Sequence, residues 1–236
     1  MVSTRALAAR FAQVALGVSA MCVPLSAEAA GAVVGHIHYV GSKTAPPAIA
    51  VPGGFGMCGT TVPAETLLVG AGKGLANAVV SIGGVKGSPP PAPAAVTITE
   101  KGCVFSPHVV AFPVASKLTF LNEDEMFHNV HLESGGQTLT NLATPIKGWK
   151  TDAPANLLTK ATTISMKCDV HAWMKAYFHI FDHPFYAVTD ATGSYRIEGL
   201  PAGTYDFVVD HETLGTSTRK VTVPASGEVT MDVDLK

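Results

Sequence analysis

Charged residues are scarce in this sequence. Only 14% of its 236 residues are Asp, Glu, Lys or Arg, and the formal net charge is −2. A surface that binds nucleic acid or an anionic membrane needs a clear excess of Lys and Arg, so the composition predicts neither partner. The hydrophobic content of 47% is too high for a disordered chain. The sequence therefore predicts a folded protein that does not bind nucleic acid.

Long segments with a helical repeat of apolar residues are also missing. Short apolar runs bounded by Gly, Pro, Asn and Asp recur instead, which is typical of strands. The stretches near 64–69 and 138–144 could each hold a helical turn. The predicted strands are 33–40, 78–82, 103–112, 117–121, 162–167, 176–181, 205–209 and 229–235. The predicted fold class is therefore all-β.

The first 29 residues have the pattern of an export signal. Arg5 and Arg10 precede an apolar run from about residue 11 to residue 25, and the small-residue site Ala27-Glu28-Ala29 follows. A transmembrane helix is the competing interpretation, but it needs about 20 apolar residues and this run is shorter. We expect cleavage after Ala29 and a periplasmic or secreted product with no membrane insertion.

Cysteine is rare, and its number is informative. Without residues 1–29, the chain keeps Cys58, Cys103 and Cys168. An odd thiol in an oxidising compartment needs an explanation, and one disulfide plus one metal-bound thiolate is the most economical. Cys58 lies in a Gly-rich turn and Cys103 follows Gly102, which are surroundings typical of a structural disulfide. Cys168 instead lies close in sequence to His171 and Met174.

Soft metal donors are concentrated in one short segment. The pattern Cys168-x2-His171-x2-Met174 places a thiolate, an imidazole and a thioether on one loop between two apolar strands. His128, about 40 residues upstream, would complete the set from another loop. Two imidazoles, a thiolate and a weak thioether form the ligand field of a blue-copper site, whereas zinc seldom uses Met and Mg²⁺ and Ca²⁺ prefer oxygen. The sequence predicts one copper ion.

These motifs resemble the cupredoxin family over roughly residues 96–182, most closely its amicyanin-like members. The resemblance implies a Greek-key β-sandwich and a type 1 copper ion that exchanges single electrons with a redox partner protein. It also implies that Asn129 ties the two ligand loops together. The family usually has Pro directly after its second ligand His, where this chain has Ala172. The ligands implied are His128, Cys168, His171 and Met174.

Four further residues leave alternatives open. His131 could replace His128 as the ligand. His36 and His38 point to one face of a strand, where they could hold a second metal or simply line a solvated surface. Trp173 could belong to a rim where a redox partner docks, or it could pack against the copper loop.

The C-terminal part has a different character. The motifs Thr189-Asp190-x-x-Gly193 and Leu200-Pro201-x-Gly203-x-Tyr205 resemble the carboxypeptidase-regulatory-like, transthyretin-like β-sandwich. Residues 184–236 are too few for a full seven-strand sandwich, and residues 33–40 and 75–82 resemble its first two strands. We therefore expect a smaller, discontinuous sandwich with the copper domain inserted, although residues 30–90 could instead extend the cupredoxin. The expected divisions are the signal at 1–29, first strands at 30–90, the cupredoxin at 95–183 and remaining strands at 184–236.

No catalytic set accompanies the second module. Asp210-His211-Glu212 alternates between strand faces and lacks a nucleophile. We therefore expect an exported type 1 copper protein that carries single electrons between redox partners, not an enzyme. One alternative is a copper enzyme whose open metal position acts on a small molecule. The other is a non-redox copper carrier or cell-surface binding module.

Overall fold

The computed structural model describes residues 30–236 except 45–46, 54, 86–87 and 89. The described part consists almost entirely of strands, which confirms the predicted all-β class. Its only helical elements are three short 3-10 turns, Gly56–Cys58, Ala71–Lys73 and Ala155–Leu158. No helix in this part of the chain has the length and apolarity needed to cross a membrane. The predicted export signal, 1–29, lies outside the described residues.

Nineteen strands follow one another along the described chain. They are β1 (Gly31–Tyr39), β2 (Ala48–Ala50), β3 (Thr61–Pro63), β4 (Val79–Gly83), β5 (Ala95–Glu100), β6 (Phe105–Ser106), β7 (Val109–Pro113), β8 (Lys117–Asn122), β9 (His128–Ser134), β10 (Gln137–Thr144), β11 (Lys150–Asp152), β12 (Thr162–Lys167), β13 (Lys175–Phe181), β14 (Tyr186–Val188), β15 (Ser194–Leu200), β16 (Gly203–His211), β17 (Gly215–Val223), β18 (Gly227–Thr230) and β19 (Val233–Leu235).

Strands β5 to β13 form what we term the central sandwich, residues 95–181. One sheet has the order β10-β9-β12-β13-β7 and the other has the order β11-β8-β5-β6. In β8 the buried positions alternate at Leu118, Phe120 and Asn122, because successive side chains of a strand point to opposite faces. Phe112 and Phe178 belong to the same buried apolar cluster, which is the core shared by the two sheets.

Strands β1, β4 and β14 to β19 form the split sandwich, residues 31–39 and 79–83 together with 186–235. One sheet has the order β15-β1-β18, with β19 also paired to β1, and the other has the order β14-β4-β16-β17. Ile37, Leu75, Ile82 and Phe207 lie in its separate buried cluster. Strands that precede the central sandwich in sequence therefore pair with strands that follow it.

The turn at Gly193 shows why one motif of the split sandwich requires glycine. Gly193 has a φ of 78°, and its N–H donates to the carbonyl of Asp190 at 2.9 Å. A Cβ atom at this position would lie 2.2 Å from the carbonyl oxygen of Ile37 in β1. Only glycine can therefore combine this backbone conformation with the close approach of β1.

Two local expectations are wrong. Residues 64–69 form bends and an isolated bridge, and residues 138–144 lie in β10, which pairs antiparallel with β9. Pairing with β9 gives residues 140–144 hydrogen-bond partners on one side of the strand, which is more than an isolated helical turn provides. The predicted strand 103–112 is divided into β6 and β7 around Pro107, which has no N–H to donate.

Candidate metal centre

The loop that carries three of the four predicted ligands is the connection between β12 and β13. Lys167 and Lys175 are directly paired, so residues 168–174 form the loop of a hairpin. The N–H of Cys168 donates to the carbonyl of Met174 at 3.2 Å, and the N–H of Met174 donates to the carbonyl of His171 at 2.9 Å. These bonds close the loop tightly over the end of the central sandwich.

His128 reaches this loop because β9 lies next to β12. His128 begins β9, which runs antiparallel to β12 with His131 paired to Lys167. The start of β9 therefore lies beside the end of β12, where the loop begins. This pairing brings together side chains that are 40 or more residues apart in sequence.

The donor atoms of three of the four predicted ligands lie close together. Nδ1 of His128 lies 3.0 Å from Nδ1 of His171, and Sγ of Cys168 lies 3.5 Å from the same His171 nitrogen. One donor atom from each of these three residues lies within 4.8 Å of the other two. The two imidazoles are fully buried, and Met174 is buried in the same apolar cluster as Cys168.

Asp124 determines the tautomer of His128. Oδ2 of Asp124 accepts a hydrogen bond from Nε2 of His128 at 3.0 Å, and this carboxylate also accepts the N–H groups of Gly102 and Cys103 at 2.7 and 2.8 Å. With its proton on Nε2, a neutral His128 ring presents a lone pair at Nδ1. A carboxylate behind a ligating imidazole commonly fixes the ring in this way.

Burial keeps both imidazoles neutral. It lowers the pKa of His128, although Asp124 opposes the shift. It also lowers the pKa of His171 to about 4, assisted by the nearby His128 ring. Neutral rings offer lone pairs to a metal ion, so neither side chain needs to lose a proton at neutral pH.

Cys168 is a buried thiol with N–H groups around its sulfur. Burial raises the pKa of the thiol, while the backbone N–H groups of Asn129, His171 and Val170 favour the thiolate. Without a cation, the neutral S–H donates to Oδ1 of Asn129 at 3.3 Å. A metal ion would supply the charge that a buried thiolate lacks. Two neutral imidazoles, this sulfur and a nearby thioether fit copper.

Asn129 links the two ligand-bearing segments. Its Oδ1 accepts the N–H of Asp169 at 2.8 Å, and its Nδ2 donates to Oδ2 of Asp169 at 2.9 Å and to Oδ1 of Asn141 at 2.8 Å. Because Asn129 follows His128 and Asp169 follows Cys168, these bonds fix the start of β9 relative to the loop.

His131, the alternative ligand, is engaged elsewhere. Its Nδ1 lies 2.8 Å from Oδ1 of Asp169, and its Nε2 lies 2.8 Å from Oγ1 of Thr138. His131 is three residues beyond His128, so the two side chains point to opposite faces of β9. Of the two histidines, the structure brings only His128 to Cys168.

The other two cysteines form a disulfide next to this cluster. Cys58 and Cys103 are bonded, which confirms the predicted disulfide, and Cys168 is the free cysteine of the described residues. Both disulfide sulfurs lie within 4.8 Å of a ring nitrogen of His171. Sδ of Met126 lies 3.6 and 3.4 Å from the sulfurs of Cys58 and Cys103.

His36 and His38 lie far along the chain from this centre, on β1. Their ring centroids are 5.9 Å apart. Nδ1 of His36 faces Asp232 at 3.8 Å, and Nδ1 of His38 faces Asp234 at 3.6 Å. Among the described residues, these four are not in a group of three donors within 4.8 Å of one another. The arrangement therefore gives no support to the second-metal alternative over a solvated strand face.

Sequence reasoning missed three residues around the centre. Phe55 places its ring centroid 5.0 Å from that of His171, and Asp124 binds His128 as described above. Glu100 is fully buried, and neither carboxylate oxygen has a hydrogen-bond partner. No local pattern identifies Phe55, because more than 100 residues separate it from His171. An acidic residue four positions before the ligand His was the available signal for Asp124.

The C-terminal part of the chain matches a family model, and part of the chain is similar to solved cupredoxin structures. Residues 182–236 match the family model for the carboxypeptidase regulatory-like domain, which confirms the resemblance predicted for that part. No curated protein matches the chain. The solved structures similar to it include cupredoxins, as the resemblance of the central part implied.

Three of those structures illustrate the extent of the similarity. A copper(I) form of an amicyanin variant is 19% identical with a TM-score of 0.32, covering 43% of this chain and 98% of its own. A purple cupredoxin from Nitrosopumilus maritimus is 16% identical with a TM-score of 0.31, covering 36% and 99%. A copper-containing nitrite reductase from Thermus scotoductus is 24% identical with a TM-score of 0.31, covering 39% and 23%. The chain thus spans 23% of the nitrite reductase.

Proposed function

We propose that this protein is an exported type 1 copper protein that carries single electrons between redox partner proteins. The observation that carries the proposal is the convergence of buried donors from His128, Cys168 and His171 within 4.8 Å of one another. Imidazole, imidazole and thiolate are the three strong ligands of such a site, and the thioether of Met174 would be the weaker fourth ligand.

The residues of the centre would each have a distinct task. His128 and His171 would bind through Nδ1, and Asp124 would hold the His128 ring in the required tautomer. Asn129 would keep the two ligand segments at a fixed separation. A bound copper ion would supply a one-electron couple between Cu(I) and Cu(II). Donors that are buried and hydrogen-bonded before the metal arrives need little rearrangement when its charge changes.

Burial of the donors favours electron transfer over the enzyme alternative. A copper enzyme needs an open position where a small molecule reaches the metal. Here His171 is fully buried, and its ring is in contact with Phe55 and Trp173. We further propose that the split sandwich is one domain interrupted by the copper domain, and that the product is periplasmic or secreted.

The proposal is tested by adding Cu(II) to the purified metal-free protein. We expect one copper ion per chain and an intense visible absorption from thiolate-to-copper charge transfer. Cys168→Ser should abolish this absorption, and His128→Ala should abolish or strongly change it. A colourless copper-loaded wild type would refute the type 1 site.

His131→Ala is the matched control. This histidine is close to the centre, but its ring nitrogens face Asp169 and Thr138. The variant should bind copper with an unchanged spectrum. If His131→Ala loses the absorption and His128→Ala keeps it, His131 is the ligand and the proposed set is wrong.

A further inference from the structure

A hairpin outside the central sandwich reaches over the candidate metal centre. Strands β2 and β3 pair with each other, and the N–H of Val51 donates to the carbonyl of Thr60 at 2.9 Å. The tip holds a short 3-10 turn, within which the N–H of Cys58 donates to the carbonyl of Phe55 at 2.8 Å. We refer to the described residues 55–60 of this tip as the cover.

Phe55 is the residue of the cover that contacts the centre. Its ring centroid lies 5.0 Å from that of His171 and 5.6 Å from that of Trp173, both in edge-to-face geometry. The rings of Trp173 and His171 are 5.3 Å apart, so the three form one aromatic cluster. Nε2 of His171 is buried beside this cluster without a hydrogen-bond partner. The imidazole is therefore shielded from water by residues of two different segments.

The disulfide fixes the cover to the central sandwich. Cys58 belongs to the cover, whereas Cys103 lies between β5 and β6, 45 residues away. The carbonyl of Cys103 accepts the Nε1–H of Trp173 at 2.9 Å, and its N–H donates to Asp124. The anchor of the cover is thus hydrogen-bonded to a neighbour of His171 and to the carboxylate that holds His128.

We infer that Phe55, held in place by the Cys58–Cys103 disulfide, determines what can reach His171. With the disulfide intact, water-borne chelators and small ligands are kept from the imidazole. An electron or metal that passes through this side of the centre meets Phe55 and Trp173 first. This access role rests on the proposed function only for the identity of the metal, because the closure itself is a property of the metal-free chain.

The test is chemical modification of histidine in the metal-free, disulfide-bonded protein. Diethyl pyrocarbonate acylates accessible neutral imidazoles, and peptide mass spectrometry reports each histidine separately. In the wild type, His171 should be protected, while the half-exposed His36 reacts readily. In Phe55→Ala, the modification rate of His171 should rise at least ~10-fold, because a local opening no longer has to displace the ring.

Two controls separate the cover from general loosening. Met57→Ala changes another residue of the cover, one that is 62% exposed, and should leave the His171 rate unchanged. His128 should stay protected in every variant, because Phe55 is not in ring contact with it in the described structure. If the His171 rate does not rise in Phe55→Ala, or if His128 becomes equally reactive, the inference is wrong.

The disulfide is tested by replacing both of its cysteines. Cys58→Ser with Cys103→Ser should raise the His171 rate as Phe55→Ala does, and adding Phe55→Ala should raise it little further. Independent, multiplying effects would show that the disulfide does not act through Phe55 and would overturn that part of the inference. The paired serine variant also decides the question if Phe55→Ala does not fold.

The copper form gives a second readout. Extraction of Cu(I) by a soluble chelator should be at least ~10-fold faster in Phe55→Ala than in the wild type, because chelator access no longer requires the cover to open. The visible absorption of the oxidised form should be the same in both proteins. If the chain binds no copper, this arm shows no signal while histidine modification still tests the cover. The two proposals can therefore fail separately.

Discussion

Nε2 of His128 donates a hydrogen bond to Oδ2 of Asp124 at 3.0 Å. The same carboxylate accepts two backbone N–H groups from the segment that contains Cys103. Asp124 therefore connects a candidate ligand, the disulfide and the central sandwich. The tautomer of His128 depends on this contact, since the carboxylate can only accept a hydrogen bond.

Asp124→Asn should weaken copper binding about 10- to 100-fold, because the ring loses the carboxylate that holds Nε2–H and the basicity it confers on Nδ1. Competition with a chelator of known affinity measures the change. Asp152→Asn is the control, because Asp152 is half-exposed on β11 and is paired with Lys117. Equal affinities of Asp124→Asn and the wild type would rule out the positioning role.

Met174→Leu should keep the visible absorption and change the reduction potential. The thiolate produces the absorption, whereas an axial thioether tunes the balance between Cu(I) and Cu(II). We expect a shift of at least ~59 mV, which corresponds to a tenfold change in the relative affinities for the two oxidation states. Met166→Leu, another buried methionine of the same core, should shift the potential much less. Equal shifts would argue against Met174 as a ligand.

Glu100 should make the protein less stable as pH rises. Burial raises the pKa of this carboxyl to about 7, and the charge of Asp124 adds to the shift. Between its usual value of 4.5 and about 7, the unfolded chain releases a proton that the folded chain keeps. The free energy of unfolding therefore falls as the pH rises through this range, and the full decrease is reached above pH 7.

Glu100→Gln removes this titration while preserving the shape of the side chain. The variant should be more stable than the wild type above pH 7, by on the order of 2 kcal/mol, and the difference should vanish near pH 4. Urea unfolding at several pH values measures it. A pH-independent difference would mean that Glu100 does not titrate in this range.

His108 connects the two sandwiches through a buried ion pair. Its Nδ1–H donates to the carbonyl of Lys175 at 2.9 Å, and its Nε2–H donates to Glu212 in the turn between β16 and β17. Burial opposes the charge on the ring, but the hydrogen bond to Glu212 and the charges of Glu212 and Glu65 raise its pKa overall. The ion pair therefore stabilises the folded protein below pH 6.5, the usual pKa of histidine, and this stabilisation is lost as the pH rises through the folded-state pKa of His108.

Glu212→Gln should lower the free energy of unfolding by about 2–4 kcal/mol near pH 6, because the buried His108 charge loses its hydrogen-bonded carboxylate and keeps only Glu65, at 3.7 Å. The difference should narrow as pH rises and His108 loses its proton. Glu198→Gln, which removes an exposed carboxylate beside Arg196, should cost less than about 1 kcal/mol. Thermal or urea unfolding of the three proteins checks both statements. A cost that does not depend on pH would contradict a charged His108.

Local sequence patterns were sufficient to predict the ligand loop, the disulfide and several of the strands. The spacing Cys168-x2-His171-x2-Met174 predicted a single donor-bearing loop, because two flanking strands and a short connection leave few other conformations. The three cysteines that follow residue 29 indicated one disulfide and one free thiol, and the structure pairs Cys58 with Cys103. Alternating or short apolar runs predicted several strands, among them β1, β8 and β13, since burial of one strand face imposes a period of two.

The tertiary structure decided what depends on contacts between distant segments. The choice between His128 and His131 follows from the register of β9 against β12, because a strand places those two side chains on opposite faces. Residues 138–144 became a strand because β9 pairs with them antiparallel, with one register shift between Thr138 and Thr140. Phe55 lies against His171, and a disulfide joins its turn to a loop of the central sandwich, a contact between segments that no local pattern of the sequence predicts. Sequence patterns report which face of an element is buried, whereas the neighbour that buries it is set by the packing of the whole chain.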